Sequence, residues 1–201
     1  MPTLLVIESS PRSASVSTSL TQKFAAEWQQ KNPGGKVITR NVFTQFPPLV
    51  SEAWIYAAYT PRDQRTEEQK NALATSDQYI QELIDADTIV IGAPMHNFSI
   101  SAPLKAWIDQ IVRAGRTFSV GPDGYKGLLD SAKKVVVASA RGGEYTGDLA
   151  FLDQQTPYLK LILGFIGLTN VHFAYASNQS RGPEAAETGA KTGAEQVLAL
   201  V

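Results

Sequence analysis

The sequence predicts an α/β protein with a doubly wound, five-stranded parallel sheet and helices on both faces. Apolar runs of strand length recur along the chain, which is typical of strands that are buried on both faces. Segments with a helical period separate these runs, as parallel strands require because a tight turn cannot join them. The chain has 201 residues and is 43% hydrophobic. We therefore expect one domain over residues 1–201 with a sizeable core.

The first part of the chain predicts a strand, a helix and a second strand. Thr3–Ile7 is apolar and leads into a loop rich in serine. A helix is expected from about Ser17, and Asn32–Gly35 stops it. Lys36–Val42 is more polar than the first strand, so we expect it at an edge of the sheet.

The segment Phe43–Arg65 is irregular, with a short possible helix around Trp54, Tyr56 and Tyr59. A loop of this length in a compact domain is usually functional or an interface, because ordering it costs entropy. Its aromatic side chains have two interpretations: they form a satellite core, or they contact another subunit.

The centre of the chain predicts a helix, a buried strand and another helix. Thr66 is a suitable N-cap for a helix that ends near Asp85, with Ile80, Leu83 and Ile84 on its apolar face. The run Ile89–Ala93 predicts the third strand. Pro94 stops its hydrogen-bond ladder because proline has no backbone donor. From Pro103 the apolar residues follow a helical period.

The last part completes the alternation. The glycine-rich segment Ser119–Asp130 is compatible with a hairpin, and Lys133–Ser139 predicts the fourth strand. A helix follows from about Gln154, with Leu159, Leu161, Ile162 and Leu163. Asn170–Ala176 is the fifth strand, and Pro183–Val201 the last helix. Five such strands match the flavodoxin-like order 2-1-3-4-5.

Composition excludes several classes of function. The chain has no cysteine, and His96 and His172 lie far apart, so we expect neither a disulfide nor a metal site. A net charge of −1 without a basic run argues against nucleic acid as a partner. No apolar stretch is long enough to span a bilayer, and the first residues lack a signal-peptide pattern. We expect a soluble, cytoplasmic protein.

In the predicted strand order, the loops after Ile7, Ala93 and Ser139 meet at one edge of the sheet. The first loop supplies hydroxyl groups at the start of a helix, where unpaired N–H groups favour an anion such as phosphate. The alternative is simple helix capping by Ser15 or Ser17. The chain lacks both the Walker and the dinucleotide glycine patterns.

The second and third loops have the composition of a slot for a flat heterocycle. Pro94–Phe98 combines apolar surface with backbone donors, and the glycines of Ala140–Gly143 let backbone approach a ligand closely. Backbone N–H groups at the edges of such a ring would stabilise negative charge on its reduced form. Arg141–Gly143 has a simpler interpretation as a turn that ends a strand. Together with the phosphate site, the slot suggests FMN.

At this point the chain resembles the FMN-dependent NADH azoreductases, which are also NADH:quinone oxidoreductases. The resemblance covers essentially the whole chain. It rests on ordered motifs at Ser9–Arg12 with Ser15–Ser17, Ala93–Ile100, Leu104–Lys105, Arg113–Phe118, Arg141–Gly143 and Leu163–Gly167. Two positions depart from the family pattern, since His96 stands where tyrosine is common and Ala140 where serine is common.

The resemblance implies FMN contacts from all three loops, a homodimer with each flavin near the interface, and ping-pong transfer without a catalytic side chain. The expected cofactor-binding residues are Ser10, Ser15, Val16, Ser17, Pro94, Met95, His96, Asn97, Phe98, Ala140, Arg141, Gly142 and Gly143. The candidates to line the acceptor pocket are Phe98, Phe118, Tyr145 and Phe165, and some of these side chains are expected to come from the partner subunit. All four have core packing as the alternative.

We therefore expect an oxidoreductase that uses NADH or NADPH for the two-electron reduction of quinones and aromatic azo compounds. No motif chooses between the two nicotinamides. The alternative from another class is a non-enzymatic, flavodoxin-like FMN electron carrier. Such carriers tend to be strongly acidic, and the net charge of −1 argues against that role.

Overall fold

The structure, a computed structural model that describes residues 1–201, is built around a five-stranded parallel sheet. The strands of the chain are β1 (Thr3–Glu8), β2 (Lys36–Asn41), β3 (Thr88–Pro94), β4 (Phe118–Gly121), β5 (Gly124–Gly127), β6 (Lys134–Ala140) and β7 (Val171–Ala176). The main sheet has the order β2-β1-β3-β6-β7, and β4 and β5 form a separate antiparallel hairpin. The predicted order of the five main strands is confirmed.

Helices make the connections between the parallel strands. They are α1 (Val16–Lys31), α2 (Glu52–Tyr59), α3 (Glu67–Asp85), α4 (Ala102–Ile111), α5 (Gln155–Phe165) and α6 (Pro183–Ala199). A short 3-10 helix at Arg62–Gln64 and a second at Gly147–Leu152 were not predicted. None of the helices combines the length and the apolar character needed to cross a membrane.

Alternate residues of the strands point to two separate cores, one on each face of the sheet. Leu5, Ile7, Ile89 and Ile91 pack with residues of α3, α4 and α5 such as Leu83, Trp107 and Leu159. Leu4, Val6, Val90 and Val136 pack with α1 and α6 through Leu20, Phe24 and Val197. This alternation follows from the period of two along a strand, and it confirms helices on both faces.

One prediction about a helix face is wrong, because Ile84, which was assigned to the apolar face of α3, is exposed. On α5, Leu161 is exposed as well. Leu161 lies two positions from the buried Leu159 and Leu163, which in a helix places it on the opposite side. On α3 the buried aromatic residue is Tyr79, and Ile84 lies at the margin of the face.

The aromatic residues of the segment before α3 do not all fit the same interpretation. Trp54 is buried in a small cluster with Ala57 and Leu73, so the satellite-core interpretation holds for it. Its indole N–H donates to Gln110 Oε1 at 2.9 Å. Tyr56 and Tyr59 are exposed, and no core of this chain accounts for them.

Candidate functional site

The carboxyl ends of β1, β3 and β6 are neighbours in the sheet, and the loops that follow them enclose a pocket of about 190 Å³. From the predicted cofactor residues the pocket brings together Ser10, Ser15, Val16, Ser17, Pro94, Met95, His96, Ala140, Arg141 and Gly142. Asn97, Phe98 and Gly143 belong to the same loops but do not line this pocket. The convergence expected from the strand order is therefore present.

The first loop places two buried hydroxyl groups at the start of α1. Ser15 is the N-cap, and its Oγ accepts from the N–H of Thr18 at 3.2 Å. The Ser17 hydroxyl lies 3.1 Å from that of Ser15. The backbone N–H groups of Val16 and Ser17 have no backbone acceptor, as is usual in the first turn of a helix. Capping thus explains Ser15 alone, and the remaining donors suit an anion.

Hydrogen bonds from two serines attach this first loop to the third strand. Ser9 Oγ donates to the carbonyl of Gly92 at 2.8 Å, and Ser101 Oγ donates to the carbonyl of Ser9 at 3.1 Å. A Cβ atom at Gly92 would lie 3.2 Å from Thr21 Cγ2, so the absence of a side chain lets α1 pack closely on the strand. The anion site is in this way fixed to the sheet.

The second loop is a tight turn with strained backbone. His96 and Ser99 exchange two backbone hydrogen bonds, at 2.9 and 3.0 Å. Between them Asn97 and Phe98 have φ values of 47° and 69°, a left-handed conformation that phenylalanine rarely adopts. The N–H groups of Asn97 and Phe98 have no backbone acceptor. Strain of this kind is typical of functional sites, and here it exposes two adjacent donors.

The third loop presents a buried donor. The N–H groups of Gly142 and Gly143 have no backbone acceptor, and Gly143 is buried. A buried N–H without a partner is rare in folded proteins and fits a ligand that supplies acceptor atoms. A Cβ atom at Gly142 would lie 2.9 Å from Ser180 Oγ, so a side chain at this position would displace the Ser180 hydroxyl. Acceptor atoms at the edges of a flat heterocycle fit this set of donors.

Arg141 lines the pocket with a side chain that is bound to other residues of the protein. Its side chain is only 5% exposed, and its guanidinium donates to Asp153 Oδ2 at 3.0 Å and to Thr156 Oγ1 at 3.2 Å. The same guanidinium lies over the Tyr175 ring, 4.2 Å from its centroid. Its backbone N–H donates to the carbonyl of Ala176. Arg141 therefore forms a wall of the pocket and has little donor capacity left for a ligand.

Hydrogen bonds from Thr156 and the charge of Arg141 together lower the pKa of Asp153. Burial alone would raise the pKa of Asp153, but hydrogen bonds from Thr156 and the charge of Arg141 outweigh burial and lower the pKa below its ordinary value. Asp153 thus stays ionised at neutral pH.

The four predicted pocket aromatics form two separate groups. Phe98 and Tyr145, beside the loops, meet edge to face with ring centroids 5.8 Å apart. Phe118 and Phe165 contact each other at 4.7 Å, together with Tyr125 of the hairpin, and neither lines the pocket between the loops. Phe165 also packs against the main core, as its alternative interpretation expected.

Sequence reasoning missed three residues of the pocket: Arg12, Gln179 and Ser180. Arg12 is exposed and follows Ser10 in the hydroxyl loop, so its charge beside an anion site was a usable signal. Gln179 and Ser180 follow β7. Their N–H groups donate to the carbonyls of Arg141 and Gly142, both at 3.0 Å. Only the fold brings this loop to the third one.

A larger cavity, of about 890 Å³, lies beside the pocket and shares Arg141 with it. Its lining includes Tyr145, Asp153, Tyr175 and one side of α6 from Pro183 to Gln196. The smaller pocket is the candidate site because the residues with free backbone donors at Val16, Ser17 and Gly142 line it, and none of these lines the larger cavity.

Comparison with known proteins gives this pocket a context. A family model for the flavodoxin-like fold matches residues 2–201. An FMN-dependent NADH:quinone oxidoreductase of Nostoc sp. is 43% identical, over 99% of this chain and 99% of its own length. A protein of the same name from Paraburkholderia phymatum is 46% identical, over 99% of each chain. Among solved structures, an azoreductase from Bacillus anthracis str. Sterne matches with a TM-score of 0.89 at 29% identity, covering 99% of this chain and 98% of the other.

Proposed function

This chain belongs to the flavodoxin-like fold family, and from that premise we propose that it is an FMN-dependent oxidoreductase. It uses NADH or NADPH for the two-electron reduction of quinones and aromatic azo compounds. The observation that carries the proposal is the set of unpaired backbone donors at the ends of β1, β3 and β6. They form an anion site beside a slot whose donors suit the edges of a flat ring. The named relatives cover these loops because they match nearly the whole chain.

The first loop binds the phosphate of FMN. The hydroxyls of Ser15 and Ser17 and the N–H groups of Val16 and Ser17 donate to its oxygens, and Ser10 and Arg12 lie in the same lining. The partial positive charge at the start of α1 adds to these hydrogen bonds.

The second and third loops bind and orient the ring. The N–H groups of Asn97, Phe98, Gly142 and Gly143 donate to acceptor atoms at its edges, and Pro94, Met95, His96, Ala140 and Arg141 complete the walls. When bound, FMN supplies the acceptance and release of a hydride equivalent, which no side chain of this protein provides. The loop donors would stabilise negative charge on the reduced ring, and Phe98 and Tyr145 lie beside these loops.

We further propose that the chain is one domain that works as a homodimer. Exposed apolar side chains concentrate in the segment before α3, at Phe46, Leu49, Ile55, Tyr56 and Tyr59, and on the hairpin at Val120 and Tyr125. Exposed apolar residues grouped in this way are typical of an interface. The compartment we propose is the cytoplasm, because the donor carries charged phosphates and does not cross a bilayer unaided.

A steady-state assay of the purified, FMN-loaded protein tests the function. Each nicotinamide is offered with a panel of quinones and azo dyes. We expect turnover that is lost when FMN is stripped and recovered when FMN is added back. Tight FMN binding with negligible nicotinamide-driven turnover would instead identify an electron carrier.

The phosphate assignment has its own test in Ser17→Ala. This variant keeps the Ser15 cap and removes one hydroxyl from the anion site. We expect FMN binding to weaken about tenfold, the value of one hydrogen bond to a charged group, and riboflavin binding to stay unchanged. Ser13→Ala is the matched control, since Ser13 is exposed in the same loop and does not line the pocket. Equal losses for FMN and riboflavin would reject the assignment.

A further inference from the structure

A buried polar network lies behind the second and third loops, and it is built from side-chain hydrogen bonds. Ser139 Oγ donates to Gln155 Oε1 at 2.5 Å and accepts from Arg141 Nη2 at 3.3 Å. Arg141 in turn is paired with Asp153. Ser139 and Gln155 are completely buried. Buried polar groups that are fully hydrogen-bonded make a region rigid.

Gln155 connects the two loops that are proposed to hold the ring. Its Nε2 donates to the carbonyl of Ala93, the residue before Pro94, at 3.3 Å. Its Oε1 binds Ser139, two residues before Arg141. Next to it, the N–H of Gln154 donates to the carbonyl of Phe98 at 3.0 Å. The start of α5 is thus bonded to both loops at once.

Asp153 fixes the start of α5 itself. Its Oδ1 accepts from the N–H groups of Gln155 and Thr156, at 3.1 and 2.9 Å. Its Oδ2 accepts from the Thr156 hydroxyl at 2.7 Å and from Arg141 at 3.0 Å. One carboxylate therefore caps the helix and holds the side chain of the third loop.

We propose that Ser139, Gln155 and Asp153 are positioning residues of the flavin site. They set the spacing between the donors of Asn97 and Phe98 on one loop and those of Gly142 and Gly143 on the other, so that both edges of one rigid ring are bound together. The inference rests on the proposed function. A buried ion pair adds little net stability because desolvation offsets its attraction, whereas a rigid ring tolerates errors of only about 0.5 Å in its donors.

The test compares two serine variants. Ser139→Ala removes a buried hydroxyl that donates at 2.5 Å and accepts from a buried arginine. Ser76→Ala does the same on α3, where Ser76 Oγ donates to the carbonyl of Gln110 at 2.5 Å and accepts from Arg113. Neither substitution changes the charge of the protein. Gln155→Leu serves as a second, stronger variant. The measurements are dissociation constants for FMN and riboflavin, the midpoint potential of the bound flavin, and thermal unfolding of the flavin-free protein.

We expect Ser139→Ala to weaken FMN and riboflavin binding by the same factor, about tenfold, because both ligands carry the ring. The midpoint potential becomes more negative, since misplaced donors stabilise the reduced ring less. Ser76→Ala lowers the unfolding temperature and leaves the dissociation constants for FMN and riboflavin and the midpoint potential unchanged.

Two results would overturn the inference. If Ser139→Ala and Gln155→Leu lower only the unfolding temperature, with riboflavin affinity and potential as in the wild type, the network is structural. If the wild-type protein binds neither FMN nor riboflavin, the proposed function fails, and the role of the network fails with it.

Discussion

Two buried arginines in this protein have the same partners by type and different surroundings. Arg113, which follows α4, is 2% exposed and bonds to Ser76 Oγ at 2.9 Å and to Asp77. Arg141, which follows β6, bonds to Ser139 and to Asp153. Each arginine therefore forms a cluster with a serine and an aspartate that the tertiary structure brings together.

The difference lies in how completely each cluster is enclosed. The Asp77 side chain is 42% exposed and also pairs with Arg116, and Arg113 Nε has no partner. Burial lowers the pKa of Arg113, and its bond to Asp77 opposes that shift. Asp153 is only 13% exposed, and Tyr175 covers the Arg141 guanidinium. The enclosed cluster is the one that stands behind the proposed ring slot, where fixed geometry matters to function.

Removal of the arginine is expected to give the largest contrast. Arg141→Met leaves Asp153 buried without its charge partner, which should lower the free energy of unfolding by about 3 kcal/mol. Arg113→Met should lower the free energy of unfolding by about 1 kcal/mol, since Asp77 is half exposed and keeps its ion pair with Arg116. Urea unfolding of the flavin-free variants at constant m-value measures both. Equal losses at the two positions would show that the difference in enclosure has no energetic consequence.

This contrast was outside the reach of the sequence. The order of the strands and the convergence of three loops followed from apolar runs and from general rules of α/β topology. Arg141 was predicted as a cofactor-binding residue, but its partners Asp153 and Thr156 have no signal in the sequence because they come near it only when α5 packs against the sheet. The positive φ of Phe98 had no signal in the sequence either, because this backbone conformation favours glycine or asparagine and not phenylalanine.

The charge of the aspartate is the second property by which the two clusters should differ in their contribution to stability. The pKa of Asp153 is lowered in the folded protein, so its ionised form is the one that stabilises the fold. That stabilisation is fully present above the ordinary pKa of about 3.9 and is lost as pH falls through the lowered folded value. We expect Asp153→Asn to cost about 2 kcal/mol at neutral pH. The difference from wild type should shrink as pH falls below the ordinary pKa and through the lowered folded pKa of Asp153.

Asp77→Asn is the comparison for this measurement. Because Asp77 is half exposed, its pairs are screened by solvent, and we expect a loss of no more than about 1 kcal/mol at neutral pH. Urea unfolding of both variants across this pH range checks the prediction. A cost for Asp153→Asn that does not change with pH would mean that packing, not charge, holds the enclosed cluster.

Removal of the aromatic ring that lies over the arginine should have the smallest effect on stability. Only the Arg141 cluster has such a ring. Arg141 lies 4.2 Å from the Tyr175 centroid, and none of the cation–π contacts in the chain involves Arg113. Tyr175→Leu should lower the free energy of unfolding by about 1 kcal/mol through loss of this contact. Tyr175→Phe keeps the ring and removes only a hydroxyl 3.4 Å from Thr156 Oγ1, so it should stay close to wild type. If the two substitutions cost the same, the hydroxyl and not the ring stabilises Arg141, and the enclosed cluster then differs from the open one by its hydrogen bonds alone.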